Sequence, residues 1–429
     1  MYKQISFNAL ILIVLTMFSF VGNSQNEVST PYSSFGIGIL NNRTNGINST
    51  MGGVGYALSN SNYVNFKNPA SYTSFDSLSF TADASFSMFS TTLKSNTSSQ
   101  KNSRARFDYL AIGIPINKFW ASSIGIIPFS DLGYDIYDSA TIQNVGIANY
   151  RYSGEGGLKQ LYWGNGFKIS ENLSLGVNLS YLWGNLNTIR YMEFSDVTIF
   201  NSKISESNNI DGLHYTLGLQ YRFKLKENHK FMVGIVYENS AYIKTSESVL
   251  ISNYKGSYAY TSTFDTVLIR MGDDAVKGRM KIPQFIGGGI NYSFKDKYLF
   301  TSDVTWQNWE KFSSTSQKDT LKNNLISSLG FQIIPDAKSS KYLNKVSYRA
   351  GIKYSTGYIV VKNTPISEMT ISMGLGFPLK TFNTRSSLNV MLEYGKIGTI
   401  SNNLIHENYL RLSLNFILHE KWYQRAKLD

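Results

Sequence analysis

The sequence predicts an all-β protein, a transmembrane antiparallel β-barrel of about 14 strands. Three observations point there. A short apolar segment of the export type opens the chain. Runs of strictly alternating apolar and polar residues recur from Ser77 onward. No later stretch is apolar enough for a spanning helix, and a membrane protein without such helices satisfies its backbone as a closed barrel.

The opening segment has the three parts of a secretory signal. Lys3 supplies the positive start, and Ile5 to Val21 is apolar except for Ser6, Asn8, Thr16 and Ser19. Gly22, Asn23 and Ser24 give a small-residue exit. A spanning helix needs roughly 20 apolar residues, and this run is shorter. Residues 1–24 are therefore expected to be removed, leaving a mature chain that starts near Gln25. The chain has no cysteine, which excludes a lipid-anchored Cys, disulfides, thiolate metal sites and a Cys nucleophile. The formal charge is +12, but Lys and Arg are scattered and no basic helix appears, so nucleic acid is not the expected partner. Basic loops beside acidic lipid headgroups account for the excess. Aromatics make up 14% of the chain, with 29 Tyr and 26 Phe. These residues favour strands, and Tyr suits a membrane–water interface.

Asn26 to Asp76 is rich in Ser, Asn and Gly and has no sustained period. The strands then begin. Leu173, Leu175, Val177, Leu179, Tyr181 and Trp183 alternate with polar or small residues. So do Leu213 to Phe223, Val346 to Tyr354 and Leu410 to Leu418. Period two puts one face in lipid and the other in the lumen. Leu217, Leu412 and Leu414 are expected on lipid, with Gln220, Arg349 and Arg411 in the lumen. Short connections, such as Asn117–Lys118, Ser170–Asn172 and Lys295–Lys297, alternate with long polar ones, such as Ser90–Ala105, Ser130–Gly156, Gly184–Asn209 and Thr245–Arg279. That asymmetry is expected of outer-membrane barrels, and it places both chain ends in the periplasm.

The same parity collects a set of lumen groups: His214, Arg222, Glu238, Asp303, Arg349, Lys353, Glu393 and Arg411. Two readings stand. They form a salt-bridge and hydrogen-bond network that seats a plug, or a charged path that binds a carboxylate headgroup. No His pair has metal-ligand spacing and no nucleophile motif occurs, so neither an enzyme nor a cofactor is expected. Pro115 and Pro128 fall in consecutive strands, and each removes a ladder donor. Together they mark a gap in the wall, or they simply sit at strand ends.

Met51-Gly52-Gly53-Val54-Gly55-Tyr56-Ala57 precedes Asn68-Pro69-Ala70 just before the first strand. This arrangement resembles the amino-terminal hatch of the FadL/TodX outer-membrane transport family. Lys281-Ile282-Pro283-Gln284, Gly289 to Tyr292, and Ser302 to Trp306 with Trp309 are similar to that family's central hairpin. Tyr348-Arg349-Ala350-Gly351-Ile352-Lys353-Tyr354 is similar to a later strand. The Gly156-Gly157-Leu158 to Trp163-Gly164 phrase and the basic-aromatic ending resemble a Bacteroidota-type branch. The resemblance implies four parts: signal 1–24, a hatch or plug over 25–76, a barrel over 77–418, and a periplasmic tail over 419–429. Gly52, Gly53, Gly55, Asn68, Pro69 and Ala70 would be the hatch motif. It also implies an integral outer-membrane channel for passive uptake of hydrophobic or amphiphilic molecules such as long-chain fatty acids. The alternative is a non-transporting barrel subunit of an outer-membrane secretion or barrel-assembly complex. The absence of a long apolar capture loop speaks for that alternative.

Overall fold

The computed structural model describes residues 30–196, 198–224, 227–256, 265–314, 321–379 and 385–421. The expected signal peptide and the chain end beyond Lys421 lie outside the described residues. Strands β1 (Ser79–Lys94), β2 (Ser99–Pro115), β3 (Trp120–Ile142), β4 (Gly146–Lys168), β5 (Leu173–Phe194), β6 (Asn201–Lys224) and β7 (His229–Glu238) run up and down in order. β8 (Ala241–Tyr254), β9 (Asp265–Arg270) and β10 (Val276–Ile282) rise above the wall, and β11 (Phe285–Phe294) returns beside β7. β12 (Tyr298–Gln307), β13 (Asn324–Ile333), β14 (Ser347–Ser355), β15 (Glu368–Pro378), β16 (Ser387–Gly398) and β17 (His406–Lys421) complete the circuit. β17 pairs with β1 from Lys421 opposite Ser79 to His406 opposite Lys94. β1–β7 and β11–β17 thereby close a 14-strand antiparallel barrel.

Alternation sets the faces. Leu175, Leu179, Leu217, Ile290, Leu329 and Leu412 point outward at 39–57% exposure, forming an apolar belt. Gln220, Arg349 and Arg411 are buried on the inner side. The end bearing the short turns, the start of β1 and the end of β17 faces the periplasm by the usual asymmetry.

Two expectations change. The long polar connections are mostly paired strand, not loop. β3 to β6 have 23, 23, 22 and 24 residues, about twice the 9–11 or so that cross a bilayer. Their outer halves project beyond the membrane, where β8 pairs with Asn201–Asp211 and both β9 and β10 pair with β8. Second, residues 419–421 belong to the barrel, not the tail. Pairing with Ser79–Thr81 continues to Lys421, and His419 is buried with Nδ1 2.9 Å from Thr81 Oγ1.

Residues 30–76 lie inside the barrel and give it an apolar core. Tyr32 and Ile37 pack with Phe129, Leu158, Leu182 and Trp309 near the outer mouth. Phe66, Tyr72 and Phe75 pack on Tyr109, Ile127 and Tyr162. Ile47, Met51, Val54 and Leu58 cluster against Ile417.

Candidate functional site

The inner segment is shaped by local chemistry before it meets the wall. Asn45 caps the short helix Gly46–Ser49, its side chain accepting the Asn48 N–H at 2.7 Å. Gly52 and Gly53 then take φ of +72° and +78°, which L side chains rarely adopt. A Cβ on Gly52 would also sit 2.6 Å from the Ile352 carbonyl oxygen on β14. Asn68 caps the 3-10 turn Pro69–Ser74, accepting the Ala70 N–H at 3.1 Å. Its amide donates to the carbonyls of Tyr56 at 2.7 Å and of Leu219 on β6 at 3.2 Å. The wall answers with its own glycines. A Cβ at Gly218 would strike Asn68, and one at Gly234 would strike the Tyr56 carbonyl. The Gly-rich and Asn-Pro-Ala stretches therefore touch β6, β7 and β14 directly.

Charged groups tie the segment to the wall. Asp303 on β12 accepts the N–H groups of Gly55 at 2.7 Å and Tyr56 at 3.2 Å, and it pairs with Lys67 at 3.0 Å. Burial lowers the Lys67 pKa, but the Asp303 carboxylate and the Tyr56 phenol beside it together hold the ammonium above the ordinary lysine value. Arg43 grips Glu238 on β7 with two bonds, at 2.9 and 3.1 Å. His214 lies beside them, with Nδ1 3.8 Å from Glu238. Lys353 reaches Glu368 at 2.9 Å and Asn42 at 3.2 Å. A third group links Arg411 to Asp108 at 3.1 Å and to Glu393 at 3.8 Å, while Arg106 bonds Asp108 and Asp131 at 3.2 and 2.7 Å. Arg106 also bonds Asn41 of the inner segment.

Of the lumen residues read from parity, seven lie buried on the inner side: His214, Glu238, Asp303, Arg349, Lys353, Glu393 and Arg411. Arg222 does not join them. It is exposed at the periplasmic end of β6, where the strand has passed the inner segment. Their partners Arg43, Lys67, Arg106, Asp108 and Asp131 escaped the sequence reading. Arg104 falls within the expected loop Ser90–Ala105, and Arg106 and Asp108 lie just past it, where a bulge opposite Ser85 and Phe86 breaks strict alternation and turns Asp108 and Tyr109 both inward. Among the described residues no group of His, Cys, Asp and Glu could hold a metal ion.

Near these charges the described wall is interrupted between β2 and β3. β2 and β3 pair only from Pro115 opposite Ala121 to Leu110 opposite Ile126. Beyond that point β2 keeps its ladder with β1, and β3 keeps its ladder with β4. Pro128 stands on the free edge just past Ile126, beside a register shift that turns Phe129 into the barrel. Pro115 does not contribute. It ends β2 at the periplasmic side, still paired, because a strand terminus tolerates a missing donor. From Phe129 onward the inner segment takes up this β3 edge: Ile39–Leu40 pairs with Asp131 and Ser130, and the Asn41 N–H donates to the Phe129 carbonyl at 3.0 Å. A cavity of about 490 Å³ occupies the seam between Phe107, Ile126, Pro128 and Leu158. A second, of about 650 Å³, lies inward among Thr91, Arg104, Glu407 and Tyr409. Arg106 and Asp131 line both.

A closed, filled 14-strand barrel with an apolar outer belt is an integral outer-membrane protein of the FadL-type fold. Its similarity to solved structures agrees. The CymD monoaromatic hydrocarbon channel superposes with a TM-score of 0.57 at 14% identity, covering 89% of this chain and 98% of that one. The Pseudomonas putida toluene transporter TodX gives 0.59 at 13%, covering 88% and 98%. A Pseudomonas aeruginosa FadL homologue gives 0.57 at 11%, covering 90% and 100%. At these identities the likeness establishes the fold alone. No curated protein matches the sequence. The family model for BamG matches residues 1–429, and the chain belongs to the BamG family of outer-membrane barrels.

Proposed function

We propose that this barrel lets hydrophobic or amphiphilic small molecules, long-chain fatty acids among them, cross the outer membrane passively through its wall. The observation that carries this reading is the β2–β3 seam, where backbone pairing stops at Leu110 and Ile126 and two cavities meet at Arg106 and Asp131. Residues 30–76 act as the plug of the axial path. A molecule entering from outside then has a sideways exit into lipid, which a water-filled axis would not offer to an apolar chain. The charged lining of the inner cavity favours a molecule with one polar end over a plain hydrocarbon. Replacing Pro128 with Ile restores a backbone N–H at that position and adds bulk in the seam. Fatty-acid uptake by cells should fall several-fold while the barrel stays folded. Uptake that never depends on the protein would defeat the transport reading.

A second reading is a non-transporting subunit of an outer-membrane secretion or barrel-assembly complex. The observation favouring it is the sheet made by the outer halves of β3–β6 with β8–β10, which stands clear of the membrane as an available docking face. Purification in mild detergent separates the two: transport predicts a lone barrel with lipid, and the second reading a stable multi-protein complex.

A further inference from the structure

Among the described residues, Arg349 is a buried cation of the interior without a carboxylate partner. Arg43, Lys67, Arg106, Lys353 and Arg411 each lie within 4.0 Å of an Asp or Glu. Arg349 on β14 is only 9% exposed. Among the described residues no carboxylate comes within that distance of it. Its Nε donates to Gln332 Oε1 at 2.7 Å and its Nη1 to Asn389 Oδ1 at 2.9 Å, both neutral acceptors. Gly376 makes the bed for the guanidinium, since a Cβ there would lie 2.6 Å from Nη1. A buried charge with only neutral partners is costly unless something completes it. A guanidinium also has more donors than two acceptors can use.

The surroundings point to what completes it. Arg349 lines a cavity of about 580 Å³ at the periplasmic end, between the plug and β11–β16. Lys345 and Arg385 stand at its lip, and no Asp or Glu is among its described lining residues. Arg385 is itself paired with Asp76 at 2.9 Å, which leaves Lys345 as the second uncommitted charge. One side is apolar, built from Ile47, Leu58, Leu299 and Ile334. Asn291 also lines the cavity, with its side-chain oxygen unpartnered. A half-turn of that amide presents the NH2 instead.

We propose that this cavity binds an oxyanion, a carboxylate or phosphate group entering from the periplasm, with Arg349 as the contacting cation and Lys345 as the guiding charge. A planar guanidinium held in place by neighbouring amides suits bidentate capture of such a group. The anion is either free or the head of a single-chain amphiphile whose tail lies on the apolar side. The site does not depend on the lateral route, so the failure of either proposal leaves the other standing.

The test is titration calorimetry on the full-length barrel in detergent at constant ionic strength. The probes are inorganic phosphate, decyl phosphate and decanol. Similar affinity for the two phosphates identifies a free anion. Much tighter binding of decyl phosphate identifies an amphiphile. Both outcomes support the site if Arg349→Gln weakens binding by about tenfold or more and Arg349→Lys by less. Lys345→Gln, at the half-buried lip, should weaken binding by about threefold without disturbing assembly. Four results would overturn the proposal: neither phosphate binds, decanol binds as well as decyl phosphate, Arg349→Gln folds and binds normally, or Lys345→Gln leaves the affinity unchanged.

Discussion

Asp303→Ala is expected to loosen residues 30–76, the proposed plug, within the barrel. The substitution strands the Lys67 ammonium in a buried position and removes the acceptor of the Gly55 and Tyr56 N–H groups. Leaving one partner of a buried ion pair alone costs about 3–5 kcal/mol. Residues 30–76 should then open to added protease, and ion conductance in planar bilayers should rise, with the barrel itself retained. Asp303→Asn keeps an acceptor for the backbone and should show a smaller effect in both assays. Wild-type protease resistance and conductance in Asp303→Ala would mean that this carboxylate does not seat the plug.

The second large effect concerns facing. Leu412 points into lipid at 43% exposure. A lysine at the middle of the belt costs about 2–4 kcal/mol, so Leu412→Lys should sharply lower the yield of folded barrel. The adjacent inward position is a poor control, because Ser413 is 3% exposed and lies 2.6 Å from Ser87. Thr91 lines the open inner cavity, and Thr91→Lys should assemble close to normally. Heat-modifiable mobility on gels measures both. Equal yields would contradict the register of β17.

The belt strands were legible because lipid imposes a rule. Where one face meets hydrocarbon, as along Leu410 to Leu418, apolar residues must recur every second position. Above the membrane that rule lapses. Ser202, Lys203, Ser205, Glu206 and Ser207 are polar on both faces, yet they pair as regularly as the residues below. They read as loop because no apolar partner marks a side. Parity points Glu238, Asp303 and Arg411 away from lipid, where a charge would be expensive, and all three are buried on the inner side. It says nothing of depth, which is why Arg222 was grouped with them although it clears the plug at the rim. The partners Arg43 and Lys67 sit on a segment without period, so no spacing could match them to Glu238 and Asp303. The seam shows the same limit. Proline marks a lost donor, but only the pairing pattern separates Pro128, on an unpaired edge, from Pro115, at a harmless strand end.

The most direct test of the lateral route is photolabelling in native outer membranes with a diazirine-bearing fatty acid, with adducts mapped by mass spectrometry. Adducts should concentrate at Phe107, Ile126 and Pro128 and continue inward to Arg106 and Asn41, with few at Leu329 on the far side of the barrel. Adducts spread evenly over Leu329, Leu412 and the other belt residues, and none on Arg106 or Asn41, would contradict that route.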